Sequence, residues 1–60
     1  PLQTGRILIK RNAFIGARAM ILPDITIGEK AVIGAQSIVT KNVAAHTTVA
    51  GNPATTIRVG

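Results

Sequence analysis

The sequence predicts an all-β fold, a parallel β-helix, and three observations carry that prediction. First, β-branched aliphatic residues recur at every sixth position: Ile9, Ile15, Ile21, Ile27, Ile33 and Val39. A strict period of six is neither helical nor the alternation of a simple strand, and it marks a stack of short equivalent rungs. Second, the position four residues after each aliphatic is mostly small: Ala13, Ala19, Ala31 and Ser37, with Ile25 and Val43 the larger members. Third, the chain of 60 residues has one Phe, no Trp and no Tyr. A conventional core draws on aromatic bulk, whereas a narrow column of Ile, Val and Ala needs none.

The elements follow in order. Residues 1–6 read as an incomplete rung or loop, because Gln3 breaks the aliphatic rule. Residues 7–43 form the repeat region, and with three six-residue steps to one eighteen-residue turn they make about two coils. Gly16, Gly28 and Gly34 each directly follow an aliphatic position. A corner is expected there, with glycine permitting a positive φ. Pro23 suits the next corner, where no ladder N–H is lost. Lys10, Leu22 and Thr40 take the glycine position elsewhere, so the corners are not uniform. Inward aliphatics of successive turns stack at about 4.8 Å and bury their methyl groups. Small partner residues keep the narrow interior from being overpacked. After Val43 the period fails: residues 44–53 are expected as a loop ending in a Gly51-Asn52-Pro53 turn. Residues 54–60 form an extended tail. The whole chain is then one partial β-helix domain.

Seven Lys and Arg residues against Asp24 and Glu29 give a net charge of +5. That balance suits nucleic acid, an anionic surface or a phosphorylated ligand. Nucleic acid is disfavoured, because there is no set of stacking aromatics, no basic run longer than Lys10-Arg11 and no helix to enter a groove. Arg6, Lys10 and Lys30 read as a solvated basic exterior. With no cysteine, disulfides and thiolate metal sites are excluded. A lone histidine, His46, with two distant acids supplies no metal ligand set. No apolar run approaches the length of a membrane span and no signal peptide is evident; a cytoplasmic protein without a membrane partner is expected. A chain this short is marginal alone, and its first rung has no polar cap. It is therefore expected to be the C-terminal piece of a longer protein.

One segment is sharper than the period. It runs Ile33-Gly34-Ala35-Gln36-Ser37-Ile38-Val39-Thr40-Lys41-Asn42-Val43, then Val49-Ala50-Gly51-Asn52-Pro53-Ala54, then Ile57-Arg58. It resembles the C-terminal signature of the hexapeptide-repeat acyltransferases, in particular the maltose and galactoside (sugar) O-acetyltransferase branch. Phe14-Ile15-Gly16-Ala17 followed by Ile21-Leu22-Pro23 is similar to that branch too, where the first residue is commonly Trp. The resemblance spans residues 7–58. It implies a left-handed parallel β-helix, a homotrimer, and acetyl-CoA held along the β-helix between neighbouring subunits. The reaction it implies is transfer of the acetyl group to a sugar hydroxyl, with a different acceptor such as serine or an antibiotic as the alternative. A non-catalytic scaffold or assembly module of the same period is the reading of another class.

The resemblance also assigns roles. The family's general base is a histidine that lies upstream of the segment matching Phe14, so no catalytic residue is expected within this chain, and His46 reads as an exposed loop residue. The cofactor side falls on this chain. Ala17 and Ala35 match positions that contact the pantetheine arm through main chain, and their small side chains permit close approach. Thr40 and Lys41 match a Thr-Lys pair near the nucleotide, where a lysine is a point-charge partner for phosphate. Arg58 matches a terminal arginine that reaches the CoA phosphates. The chain departs from the pattern at Thr55, where a second basic residue is frequent, at Asn42, where Asp is common, and at Ala44-Ala45, where prolines are frequent.

Overall fold

The computed structural model describes residues 6–60, so most of the expected incomplete rung at residues 1–6 lies outside the described residues. These residues form eight strands and no helix: β1 (Ile7–Ile9), β2 (Phe14–Ile15), β3 (Met20–Ile21), β4 (Ile25–Ile27), β5 (Val32–Ile33), β6 (Ile38–Val39), β7 (Thr47–Gly51) and β8 (Ala54–Val59). The chain visits three sheets in turn. Their strand orders are β1-β4, β2-β5-β7-β8 and β3-β6. Every pairing is parallel except that of β7 with β8, which is antiparallel. The short strands follow from the period: two or three residues fit on a face before the chain turns, and the β-branched aliphatics suit those pleats.

The expected stacking is seen directly. Ile9 pairs with Ile27, Ile15 with Ile33 and Ile21 with Val39, each eighteen residues on. Ile25, Ile27, Ala31, Ile33, Val39, Val43 and Val49 form the buried core, and Ala13, Ile15, Ala19, Ile21 and Ala54 pack against it. A fully buried isoleucine contributes about 2–3 kcal/mol of apolar burial. The core is graded along the stack: Ile27 is 0% exposed, while its partner Ile9 in the preceding turn is 47% exposed.

Buried polar side chains are satisfied locally, as burial demands. Ser37, fully buried, donates from Oγ to the Gly34 carbonyl (2.7 Å) and accepts from the Gly51 N–H (3.2 Å). The buried Thr47 donates to the Ala45 carbonyl (3.2 Å).

Three sequence expectations are corrected. The glycines after the aliphatic positions do not take positive φ. The left-handed residues are Asn12, Arg18, Asp24, Lys30, Gln36 and His46, with φ between 59° and 66°. The first five lie three residues after an aliphatic, at the same six-residue spacing. Glycine is needed for a different reason, the close approach of successive turns. A Cβ on Gly16 would lie 2.6 Å from the Ala35 nitrogen, and one on Gly28 would lie 2.4 Å from the Ala45 nitrogen. The strain of a left-handed side chain, about 1 kcal/mol, is offset by hydrogen bonding across turns. The N–H groups of Lys30, Gln36 and His46 donate to the carbonyls of Arg11 (2.9 Å), Ala17 (2.8 Å) and Glu29 (2.9 Å).

The second correction concerns residues 44–53, expected as a loop. They contain β7, which continues the stack by pairing with β5. The period slips rather than fails. Ile27 faces Val43 and Ile33 faces Val49, sixteen residues on instead of eighteen. Two residues are missing between Val39 and Val43, after which the six-residue step resumes. The third correction follows from the slip: Val43 is the next core aliphatic, not the partner four residues after Val39. That partner role passes to Thr47. The tail is extended as expected: β8 turns back on β7 through Gly51 (φ 104°) and a cis Asn52-Pro53 bond.

Candidate ligand-binding corners

The three sheets meet at three corners, and each corner stacks residues from successive turns. Residues 10–12, 28–30 and 44–46 make the first corner. Residues 16–18 and 34–36 make the second, and residues 22–24 and 40–42 the third. Side chains at corner positions project away from the aliphatic column, so this is where charge and backbone groups become available to a ligand.

Ala17 and Ala35 lie on the second corner, in successive turns, and both are exposed. The turns touch closely here because Gly16 lies under the Ala35 backbone. The Ala17 carbonyl is used by the Gln36 N–H. Among the described residues, the N–H groups of Ala17 and Ala35 and the Ala35 carbonyl have no hydrogen-bond partner. Exposed backbone donors and an acceptor on residues whose own side chains are only methyl groups, with Arg18 and Gln36 beside them, form a surface on which an extended, amide-bearing ligand can lie at close range.

Thr40 and Lys41 lie on the third corner and are exposed. Their corner is the short one. Its last residue, Asn42, accepts the Thr26 N–H on Oδ1 (2.8 Å), and the Val43 N–H donates to the Thr26 carbonyl (2.9 Å). In the preceding turn, Asp24 Oδ1 likewise accepts the Arg6 N–H (3.3 Å). Arg58 sits on β8 opposite Thr48 and is exposed. Because Thr48 faces Val32 and Val32 faces Phe14, these four residues form one line across the outer face of the second sheet. Phe14 in that line is 63% exposed.

The five residues singled out in the sequence thus fall in three places. The structure brings Ala17 and Ala35 together, puts Thr40-Lys41 on the neighbouring corner, and carries Arg58 on the edge strand. Thr55 on β8, where a second basic residue was noted as missing, pairs with Ala50 of β7. His46 occupies a left-handed corner position, with its N–H bound to Glu29 and its carbonyl bound to the Gly60 N–H (2.8 Å). Its backbone anchors the end of β8. Sequence reasoning missed the part played by Asn42. The signal was present, since Val43 and Val49 resume the six-residue step and so mark the corner before them as shortened.

Comparison with known proteins decides the family. The model of the bacterial transferase hexapeptide family, which describes six repeats, matches residues 6–41. The chain belongs to the bacterial hexapeptide-repeat transferases. A chloramphenicol acetyltransferase of Agrobacterium fabrum is 47% identical over 57 residues, covering 95% of this chain and 27% of the relative. A galactoside acetyltransferase solved in complex with coenzyme A is 46% identical with a TM-score of 0.84, covering 87% of this chain and 26% of that one. A maltose O-acetyltransferase from Clostridium difficile 630 is 42% identical with a TM-score of 0.87, covering 90% of this chain and 29% of that one. The chain therefore spans about a quarter of the length of the relatives it matches.

Proposed function

We propose that this segment is the acetyl-CoA-binding part of an O-acetyltransferase acting on a sugar hydroxyl. The observation that carries the reading is the second corner, where Ala17 and Ala35 stack with open backbone groups and themselves carry no side chain beyond a methyl. The coenzyme A in the solved galactoside acetyltransferase relative supports the ligand. Acetyl-CoA supplies the acetyl group as a thioester. The chain's own residues bind and align it: the Ala17 and Ala35 main chain faces the pantetheine arm, while Thr40, Lys41 and Arg58 meet the nucleotide and phosphate end. Alignment of thioester and hydroxyl contributes by proximity. The reading places the general base outside these 60 residues, upstream of the segment that includes Phe14, as the family resemblance implies; the His46 contacts are made by its backbone alone.

The same reading takes the segment as about two coils of a left-handed β-helix, in a cytoplasmic homotrimer. The outward apolar residues Phe14, Val32 and Met20 support association of copies, because a monomer gains nothing from leaving them in water. Ala17-Ala35, Thr40-Lys41 and Arg58 occupy different places on one chain, and a groove between two copies would bring such places to one ligand.

A second acceptor class has a specific observation behind it, the identity to a chloramphenicol acetyltransferase. The test is release of free thiol from acetyl-CoA by the full-length protein, offered maltose, a β-galactoside, serine or chloramphenicol in turn. Turnover with a sugar alone supports the leading reading. Turnover with chloramphenicol or serine alone moves the acceptor and keeps the enzyme. Absence of both turnover and CoA binding would leave a non-catalytic scaffold.

A further inference from the structure

The shortened third corner gives Asn42 a part that neither the period nor the family match assigns. At the first and second corners, a left-handed residue three positions after the aliphatic turns the chain. Between Val39 and Val43 no residue has positive φ. Removal of two residues also changes what the previous turn can bond to. In a regular rung, the N–H of the residue before the aliphatic donates to a carbonyl of the next turn: Phe14 to Ala31 (2.8 Å) and Met20 to Ser37 (2.7 Å). Thr26 is the equivalent residue above the short corner, and its N–H goes to a side chain instead, Asn42 Oδ1 at 2.8 Å. Together with the Val43 N–H on the Thr26 carbonyl, this clamps the backbone immediately after Lys41 at two points.

We infer that Asn42 is a positioning residue for Lys41: its amide oxygen stands in for the missing backbone acceptor and fixes the corner from which Lys41 meets a phosphate-bearing ligand. The inference rests on the CoA reading of Lys41. A lysine carries four rotatable side-chain bonds and loses freedom when it binds. A fixed backbone beneath it removes one source of that loss. The side-chain oxygen is the essential feature, so aspartate at this position should serve as well as asparagine.

The experiment is calorimetric titration of CoA into the full-length protein and its Asn42→Ala, Asn42→Asp, Lys41→Ala and Asn42→Ala/Lys41→Ala variants. Asn42→Ala is expected to weaken CoA about threefold, the worth of one exposed neutral hydrogen bond. Asn42→Asp should restore the affinity. In the Lys41→Ala background, Asn42→Ala should have no further effect, because its route to the ligand is gone. An equal loss with and without Lys41 would overturn the inference, as would Asn42→Ala binding CoA like the wild type. Lys41→Ala binding CoA like the wild type would overturn the CoA reading of Lys41 itself, a separate result. Should Asn42→Ala fail to fold, hydrogen exchange of the Thr26 amide in the wild type decides. Slow exchange that slows further with CoA is expected by linkage; exchange as fast as an exposed loop amide, or unmoved by CoA, overturns the inference.

Discussion

The regular corners and the short one solve the same problem by different means. At residues 10–12, 16–18, 28–30 and 34–36 the chain turns by placing one residue in the left-handed region and bonding turn to turn through backbone. At residues 40–42 it turns without such a residue and uses the Asn42 side chain to satisfy the turn before it; Asp24, one turn earlier, also accepts an N–H on its side chain, from Arg6, but keeps the left-handed φ, so the short corner differs in lacking that residue. A backbone solution tolerates many residue types: Asn, Arg, Lys and Gln all occupy the left-handed position. A side-chain solution does not, because it depends on one oxygen at one distance. The less tolerant corner is also the one that carries Thr40 and Lys41.

Stability measurements on the full-length protein separate the two kinds of corner. The largest effect is expected where glycine serves close stacking. Gly28→Ala would put a Cβ 2.4 Å from the Ala45 nitrogen, a backbone atom that cannot rotate away, and should cost about 3 kcal/mol in thermal or urea unfolding. Gly34→Ala meets the Ala50 Cβ at 2.9 Å instead and should cost less. Equal and small losses would mean that the turns are not as tightly stacked as described here.

Next come the faces of the first corner. Ala31→Phe forces a ring into a fully buried site and should cost about 2–3 kcal/mol. Lys30→Phe changes an exposed side chain at a φ whose strain the lysine already carries, and should shift stability by no more than about 0.5 kcal/mol. Equal shifts in Tm would contradict the assignment of inward and outward positions. The smallest pair tests the comparison by sign. Gln36→Gly relieves left-handed strain and should be neutral or stabilising by up to about 0.5 kcal/mol. Asn42→Gly loses its oxygen and gains backbone freedom, and should destabilise by about 1 kcal/mol. The same sign at both positions would erase the distinction between the corners.

Much of this was legible in the sequence. Six aliphatics at a fixed step gave the rungs, their inward face and the eighteen-residue pairing, because only one stacking register keeps all of them buried. The role of the glycines was not legible: a residue without Cβ serves both positive φ and close approach, and only the contacts to Ala35 and Ala45 tell which. The left-handed positions were marked by polar residues at Asn12, Arg18, Asp24, Lys30 and Gln36, a weak signal since lysine and arginine rarely adopt that region. Residues 44–53 were misread as a loop because a four-residue step looks like the end of a period. Of the candidate site, Ala17 and Ala35 were singled out by the family resemblance, and the eighteen residues between them put them on one corner in successive turns. The separation of Thr40-Lys41 and Arg58 from that pair depends on which corner and edge each occupies.

The proposed function has CoA bound at these corners, with Lys41 and Arg58 facing its charged end. Calorimetric titration of CoA into the full-length protein, at low and at high salt, tests it most directly. Each of Lys41→Ala and Arg58→Ala should weaken CoA about tenfold at low salt, and by less as screening rises. CoA affinity unchanged in both variants at both salt concentrations would mean that neither Lys41 nor Arg58 meets the ligand.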